Sequence, residues 1–192
     1  NRLEFLQRFM SAVSPEPDRQ QRSFREVLNG YVLTDDSMKK IVAIWQRLMR
    51  NVPVVLMGET GCGKTRMCEF IARMCGRPEF ADRRVHLVEV NGGTTKRMLE
   101  EAVAAAERMA REMEEGLQWL GVSDRDPTRR LDFVILFLDE CNTCQHMGFV
   151  KALLCDRVVN GRSLHALVRV VATCNPYRRQ SERMLAAQRE AG

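Results

Sequence analysis

The 192 residues hold thirty Lys and Arg against twenty-five Asp and Glu, a net charge of +5, and 45% of them are hydrophobic and 29% charged. That composition belongs to a globular chain long enough to bury a sizeable core, and the mild positive excess, scattered without a block of like charges, makes no electrostatic case for nucleic acid. No apolar run approaches the roughly 20 residues that cross a bilayer, and the opening NRLEFLQRFM has no signal-peptide core, so the chain is expected in the cytoplasm.

Residues 3 to 13 set Leu3, Leu6, Phe9, Met10 and Val13 at helical spacing, and Ser14-Pro15-Glu16-Pro17-Asp18 ends that pattern. Phe24 to Leu28 follows a polar stretch and closes on the turn signal Asn29-Gly30. After Tyr31-Val32-Leu33, Thr34 or Asp35 can cap a helix from about Ser37 to Arg50, with Met38, Ile41, Ile44, Trp45 and Leu48 on one face. Val54 to Met57 reads as a buried strand, and it runs into Gly58-x-x-x-x-Gly63-Lys64-Thr65. A helix through Met67, Phe70 and Ile71 follows, ended by Cys75-Gly76-Arg77-Pro78.

Val85 to Val90 forms the next strand signal, closed by Asn91-Gly92-Gly93-Thr94-Thr95, where either threonine can cap a helix from Lys96 to about Gly116. Leu117 to Arg130 becomes charged and turn-rich and is the expected mobile element. Phe133 to Leu138 is apolar without alternation, as a central parallel strand covered on both faces would be, and Asp139-Glu140 stand where it emerges. Gly148 to Asp156 fits a helix, Asn160-Gly161 the turn of a small hairpin, and Val168 to Cys174 a fourth strand ending at Asn175. Gln180 to Gly192 reads as a polar helix. A first residue other than Met and a helix that stops at Gly192 fit an excised piece of something longer.

The chemistry gathers at the strand ends. In Gly58, Glu59, Thr60, Gly61, Cys62, Gly63, Lys64 and Thr65 the glycines let the backbone curl its N–H groups toward an anion, and the following helix adds its positive dipole end. Lys64 then reaches the β- and γ-phosphates, Thr65 is placed to ligate Mg²⁺, and Arg66, directly after them, is taken with the loop as a nucleotide-binding residue. Asp139 can hold Mg²⁺ through its water shell, and Glu140 can accept a proton from water attacking the γ-phosphate. Asn175, at a strand's carboxyl end, can orient that water. Tyr31 and Val32, just upstream of the first long helix, are candidate adenine neighbours, with plain core residues as the other reading. Seven cysteines at irregular spacing read as reduced thiols. Cys141-x-x-Cys144 with His146 lacks the second pair of a structural zinc site.

The set GETGCGKT, FLDE and VVATCNP resembles the Walker A, Walker B and sensor 1 elements of an AAA+ ATPase, over about residues 31 to 179. More narrowly, YVLT, VLMGETGCGKTR, VNGGTT, LFLDECNT, LLCDRVVNGRSL and CNPYRR look like the AAA+ units of mysterin-like giant RING-type E3 ubiquitin ligases. The resemblance implies an α/β fold, a P-loop AAA+ large subdomain whose parallel sheet is flanked by helices. Four of its five strands are here, and the helical lid is largely absent. It implies residues 1–30 as a helical linker, 31–179 as the nucleotide-binding core and 180–192 as the start of a following helix.

The cofactors it implies are ATP and Mg²⁺, with Lys64 and Thr65 on phosphate and metal, Asp139 on the metal, Glu140 as base and Asn175 as sensor 1. Asn91 falls where many such proteins keep a polar residue that holds the catalytic Glu when no activating partner is present. Neighbouring AAA+ units would supply an arginine finger and lid, since Arg178 and Arg179 follow sensor 1 too closely to be the finger. The parent's ubiquitin machinery and RING module lie elsewhere, and its family also associates with lipid droplets. An ATP-hydrolysing motor module is the leading functional reading. An ATP-binding structural module without turnover, or a unit of a dynein- or midasin-like machine, is the alternative.

Overall fold

A computed structural model of the chain describes residues 4, 8, 9, 11, 33–59, 61–123 and 131–175. Tyr31, Val32, Thr60, Arg178 and Arg179, the turn at Asn29-Gly30 and the helix expected from Gln180 lie outside these residues.

Helix α1 (Asp35–Met49) starts where Thr34 and Ser37 cap each other: Thr34 Oγ1 accepts the Ser37 N–H at 3.1 Å and Ser37 Oγ the Thr34 N–H at 2.9 Å. It buries Ile41, Ile44 and Leu48 and delivers the chain to β1 (Val54–Met57). There follow α2 (Lys64–Met74), β2 (Val85–Glu89), α3 (Lys96–Trp119), β3 (Val134–Asp139), α4 (Met147–Lys151) with a π turn through Asp156, the hairpin strands β4 (Val158–Val159) and β5 (Arg162–Ser163), and β6 (Val168–Cys174).

Four strands form one parallel sheet in the order β1-β6-β3-β2. The central place of β3 explains its unbroken apolar run, because its alternate residues enter two different cores. Phe133, Ile135 and Phe137 pack with Leu48, Phe70 and Ile71 of α1 and α2. Val134, Leu136 and Leu138 pack with Leu99, Val103 and Ala106 of α3 and with Val159 and Leu164 of the hairpin. Since all four strands run the same way, their carboxyl ends, and the residues that follow them, share one edge of the sheet.

Two expectations are corrected. The strand at Val54–Met57 is not buried throughout, because β1 pairs only with β6 and lies at the edge of the described sheet. Val54 is buried, whereas Val55 is 54% and Met57 73% exposed. The long helix also does not stop at Gly116. It continues to Trp119, because Leu117 is fully buried in the α3 core and the Phe80 ring lies against the bare Cα of Gly116, where a Cβ would meet it at 2.9 Å. Leu117 to Trp119 therefore belong to the helix, and residues 124–130 of the expected loop lie outside the description.

At the far end of the sheet, the fully buried Asp132 receives the Arg77 N–H at 2.9 Å and pairs with both the Arg77 and Arg84 guanidinium groups, Arg84 at 2.6 Å. This ties the exit of α2 to the entry of β3. Among the described residues no helix is long and apolar enough to cross a membrane.

Candidate nucleotide and catalytic site

The loop between β1 and α2 folds as the glycine spacing requires. Gly61 and Gly63 take φ of +82° and +81°, a left-handed backbone that side-chain-bearing residues rarely adopt, and among the described residues, chain neighbours aside, no heavy atom lies within 4 Å of where either Cβ would stand. Open space thus faces the start of α2, whose first N–H groups have no intrahelical acceptor. That cradle fits a phosphate group.

Lys64, the first residue of α2, bends back over the loop. Its ammonium donates to the carbonyl oxygens of Gly58 at 2.7 Å and Glu59 at 3.0 Å, and to Asn175 Oδ1 at 3.0 Å. From the same amide, Asn175 Nδ2 donates to Glu140 Oε1 at 2.7 Å. The residues beyond three adjacent strands are thereby joined in one line: ammonium, amide, carboxylate. The amide's orientation in that line is set by charge, since only its oxygen can face Lys64 and only its nitrogen can face an ionised Glu140.

The acidic pair is held from beneath by β6. The Thr173 hydroxyl donates to Asp139 Oδ1 and accepts the Glu140 N–H at 2.9 Å. Glu140 itself has φ of +55°, a sparsely populated conformation that turns the chain sharply out of β3. Thr143 braces that turn by donating its hydroxyl to the Glu140 carbonyl at 2.9 Å and to the Val90 carbonyl at 3.1 Å. Thr65 is half-buried in the first turn of α2. One carboxylate and one hydroxyl, Asp139 and Thr65, are a donor set suited to Mg²⁺, which fills its remaining positions with phosphate and water.

Two sequence expectations meet different partners. Asn91 does not hold Glu140: its Oδ1 accepts the Gly93 N–H at 2.9 Å, closing a turn after β2, and the side chain bonded to Glu140 is Asn175. Arg66 turns to Glu69 one helical turn on, at 3.3 Å, on the outer face of α2 rather than toward the loop. Cys141 and Cys144 lie buried in the α3 core, where burial raises the Cys141 thiol pKa, and Cys144 Sγ accepts the His146 N–H at 3.3 Å.

The structure adds Thr173, Thr143 and Asn142, to which the sequence reading gave no role. Thr173 left a faint signal, as the one hydroxyl in an apolar strand and two residues from Asn175, hence on the same face.

A family model described as the RNF213 AAA domain matches residues 31–178. The E3 ubiquitin-protein ligases RNF213 of Mus musculus and Homo sapiens are each 40% identical over 164 residues, and rnf213-beta of Danio rerio is 36% identical over the same length. These alignments cover 84% of this chain and 3% of each relative, so the chain spans a small part of their length. Among solved structures, C. elegans PCH-2 gives a TM-score of 0.35 at 15% identity over 79% of this chain and 39% of that one. NtrX of Brucella abortus, solved in complex with ATP, gives 0.38 at 20% identity over 90% and 36%. At such scores the α/β fold rests on the sheet itself. The match over residues 31–178 settles the family, and this chain belongs to the RNF213 AAA domains.

Proposed function

We propose that this AAA+ unit binds ATP in the cradle between β1 and α2 and hydrolyses it to ADP and phosphate. The observation that carries the reading is the hydrogen-bonded line Lys64–Asn175–Glu140 at the carboxyl edge of the sheet. Lys64 exchanges its loop carbonyls for β- and γ-phosphate oxygens. Glu140 takes the proton of the attacking water, while the Asn175 amide aims that carboxylate and the water at the reaction centre. Mg²⁺, held by Thr65 and Asp139, supplies charge neutralisation at the phosphates when bound. Tyr31 and Val32 stay candidate adenine neighbours from their place in the sequence.

In this reading neighbouring AAA+ units complete the site with an arginine finger and a lid, and turnover moves one unit against the next. The polypeptide is cytoplasmic, and, as the relatives' names state of them, it ligates ubiquitin, through a RING module outside these residues.

The test is Glu140→Gln in the intact polypeptide. Turnover is expected to fall at least about a hundredfold, the scale of losing a general base, while a fluorescent ATP analogue still binds. Equal hydrolysis by both proteins would show that Glu140 is not the base. Tight binding without turnover in the unaltered protein would instead establish a nucleotide-held structural module.

A further inference from the structure

Asn142 reaches from the turn behind the acidic pair to Asn175, the residue that follows β6. Its Nδ2 donates to the Asn175 carbonyl oxygen at 3.3 Å, and its Oδ1 accepts the Asn175 N–H at 3.4 Å. We propose that Asn142 is a positioning residue for ATP hydrolysis, a clasp on the Asn175 backbone that sets where the Asn175 amide meets Glu140 and Lys64. The inference rests on the hydrolytic reading of this site.

The clasp stands where the sheet gives out. On one side of β6, main-chain pairing continues to its last residue, with the Gly58 N–H on the Cys174 carbonyl at 3.2 Å. On the other side the register with β3 ends at Leu138 and Ala172, and β3 then leaves by the left-handed turn at Glu140. Asn175 thus loses its strand neighbour just where its side chain has chemistry to do. The primary amide of Asn142 takes that neighbour's part, giving and receiving one bond with a single residue, as hydrogen-bonded pairs do in an antiparallel ladder. Each bond is long and individually weak. Closed as a pair they fix both the height and the rotation of the Asn175 backbone, two rotatable bonds away from the amide that faces Glu140.

Asn142 is also tied to Glu140. The two lie in one short turn, closed by the Thr143 N–H on the Glu140 carbonyl at 3.0 Å. Any shift of the turn therefore carries the carboxylate and the clasp together. Glu140, Asn142 and Asn175 form a closed circuit, and the contact between Glu140 and Asn175 is held from both of its ends.

The test is a cycle in the intact polypeptide: Asn142→Ala, Asn142→Asp, Asn175→Ala, the Asn142→Ala/Asn175→Ala double variant, and Glu140→Gln as control. Asn142→Asp is nearly isosteric, keeps the acceptor for the Asn175 N–H and sets an oxygen against the Asn175 carbonyl, so it probes the clasp even where Ala loosens the turn. Both Asn142 variants are expected to lower kcat about tenfold while the dissociation constant of a fluorescent ATP analogue stays within about twofold, the signature of misplacement rather than lost binding. In the Asn175→Ala background the Asn142→Ala change should cost less than about twofold more, because Asn142 acts through Asn175. A merely structural role predicts equal losses in both backgrounds, and that result would overturn the clasp. So would Asn142 variants with kcat near that of the unaltered protein while Glu140→Gln and Asn175→Ala are impaired. Unchanged turnover in Glu140→Gln and Asn175→Ala themselves would defeat the hydrolytic reading, and the clasp with it.

Discussion

Thr173 Oγ1 carries two bonds of opposite sense, donating to the Asp139 carboxylate and accepting the Glu140 N–H, and its residue is fully buried. A hydroxyl is the smallest group able to do both. Thr173→Val keeps the shape and removes both bonds, leaving the half-buried Glu140 N–H without this acceptor, which costs on the order of 1 kcal/mol. The Asp139 carboxylate also loses the contact that sets its rotamer. The expected outcome is a severalfold higher Mg²⁺ concentration for half-maximal turnover together with that loss of stability in denaturant, and Thr173→Ser should restore both. A Val protein that matches the Ser protein in metal requirement and in stability would remove Thr173 from any role at this site.

The hairpin of β4 and β5 owes its place to α3. Glu107, on the inward face of α3 and 3% exposed, takes both Arg162 guanidinium nitrogens at 2.7 Å and the His165 N–H at 3.2 Å. Such a two-point pair is directional as well as attractive, so it sets the hairpin's angle over the helix. The Arg162 hydrogen bonds, against the opposing effect of burial, hold the Glu107 carboxyl below its ordinary value of 4.5. A folded-state value that is lowered means stability present above pH 4.5 and lost as pH falls below it, since the unfolded chain then takes up the proton first. Hydrogen exchange at Val159–Ser163 should therefore accelerate as pH is lowered from 5 to 3, beyond the intrinsic change in exchange rate. Glu107→Gln should open the hairpin already at pH 7, at a cost of about 1–2 kcal/mol, and should abolish the excess acid response. An unaltered acid response in the Gln protein would place the sensitivity elsewhere.

At the scale of the molecule, the parallel sheet and the gathering of chemistry at its carboxyl edge were legible because each rests on local pattern. The unalternating run Phe133 to Leu138 marks a strand with two covered faces, and the glycine spacing before Lys64 marks a backbone that must curl. What escaped the sequence depends on neighbours brought together from afar. Nothing near Val55 and Met57 tells that their strand has a partner on only one side. Nothing near Gly116 tells that Phe80 will pack on it and carry the helix onward. Asn91 and Asn175 both follow strands that pair with β3, so nearness to Glu140 does not choose between them; the Asn91 amide is closed onto the Gly93 N–H of its own turn, whereas β6 lies between β1 and β3, so that Asn175 bonds Lys64 and Glu140 together. The same order makes a prediction about the whole unit. On the proposed reading a nucleotide in the cradle would touch the ends of β1, β3 and β6 and the start of α2, so any opening that separates these elements would also release it. At a ligand concentration of 100 times the dissociation constant that linkage is worth about 2.7 kcal/mol, or roughly a hundredfold slower exchange. In the intact polypeptide, ATP with Mg²⁺ should slow amide exchange by about that factor in α2 and at the carboxyl halves of β3 and β6. The β4–β5 hairpin can open over α3 without disturbing those strand ends, and its exchange should stay unchanged. Lys64→Ala should cancel the effect throughout. Slowing that is equal in the hairpin and in α2 would mean that the nucleotide is sensed by the fold as a whole and not through the shared edge of the sheet.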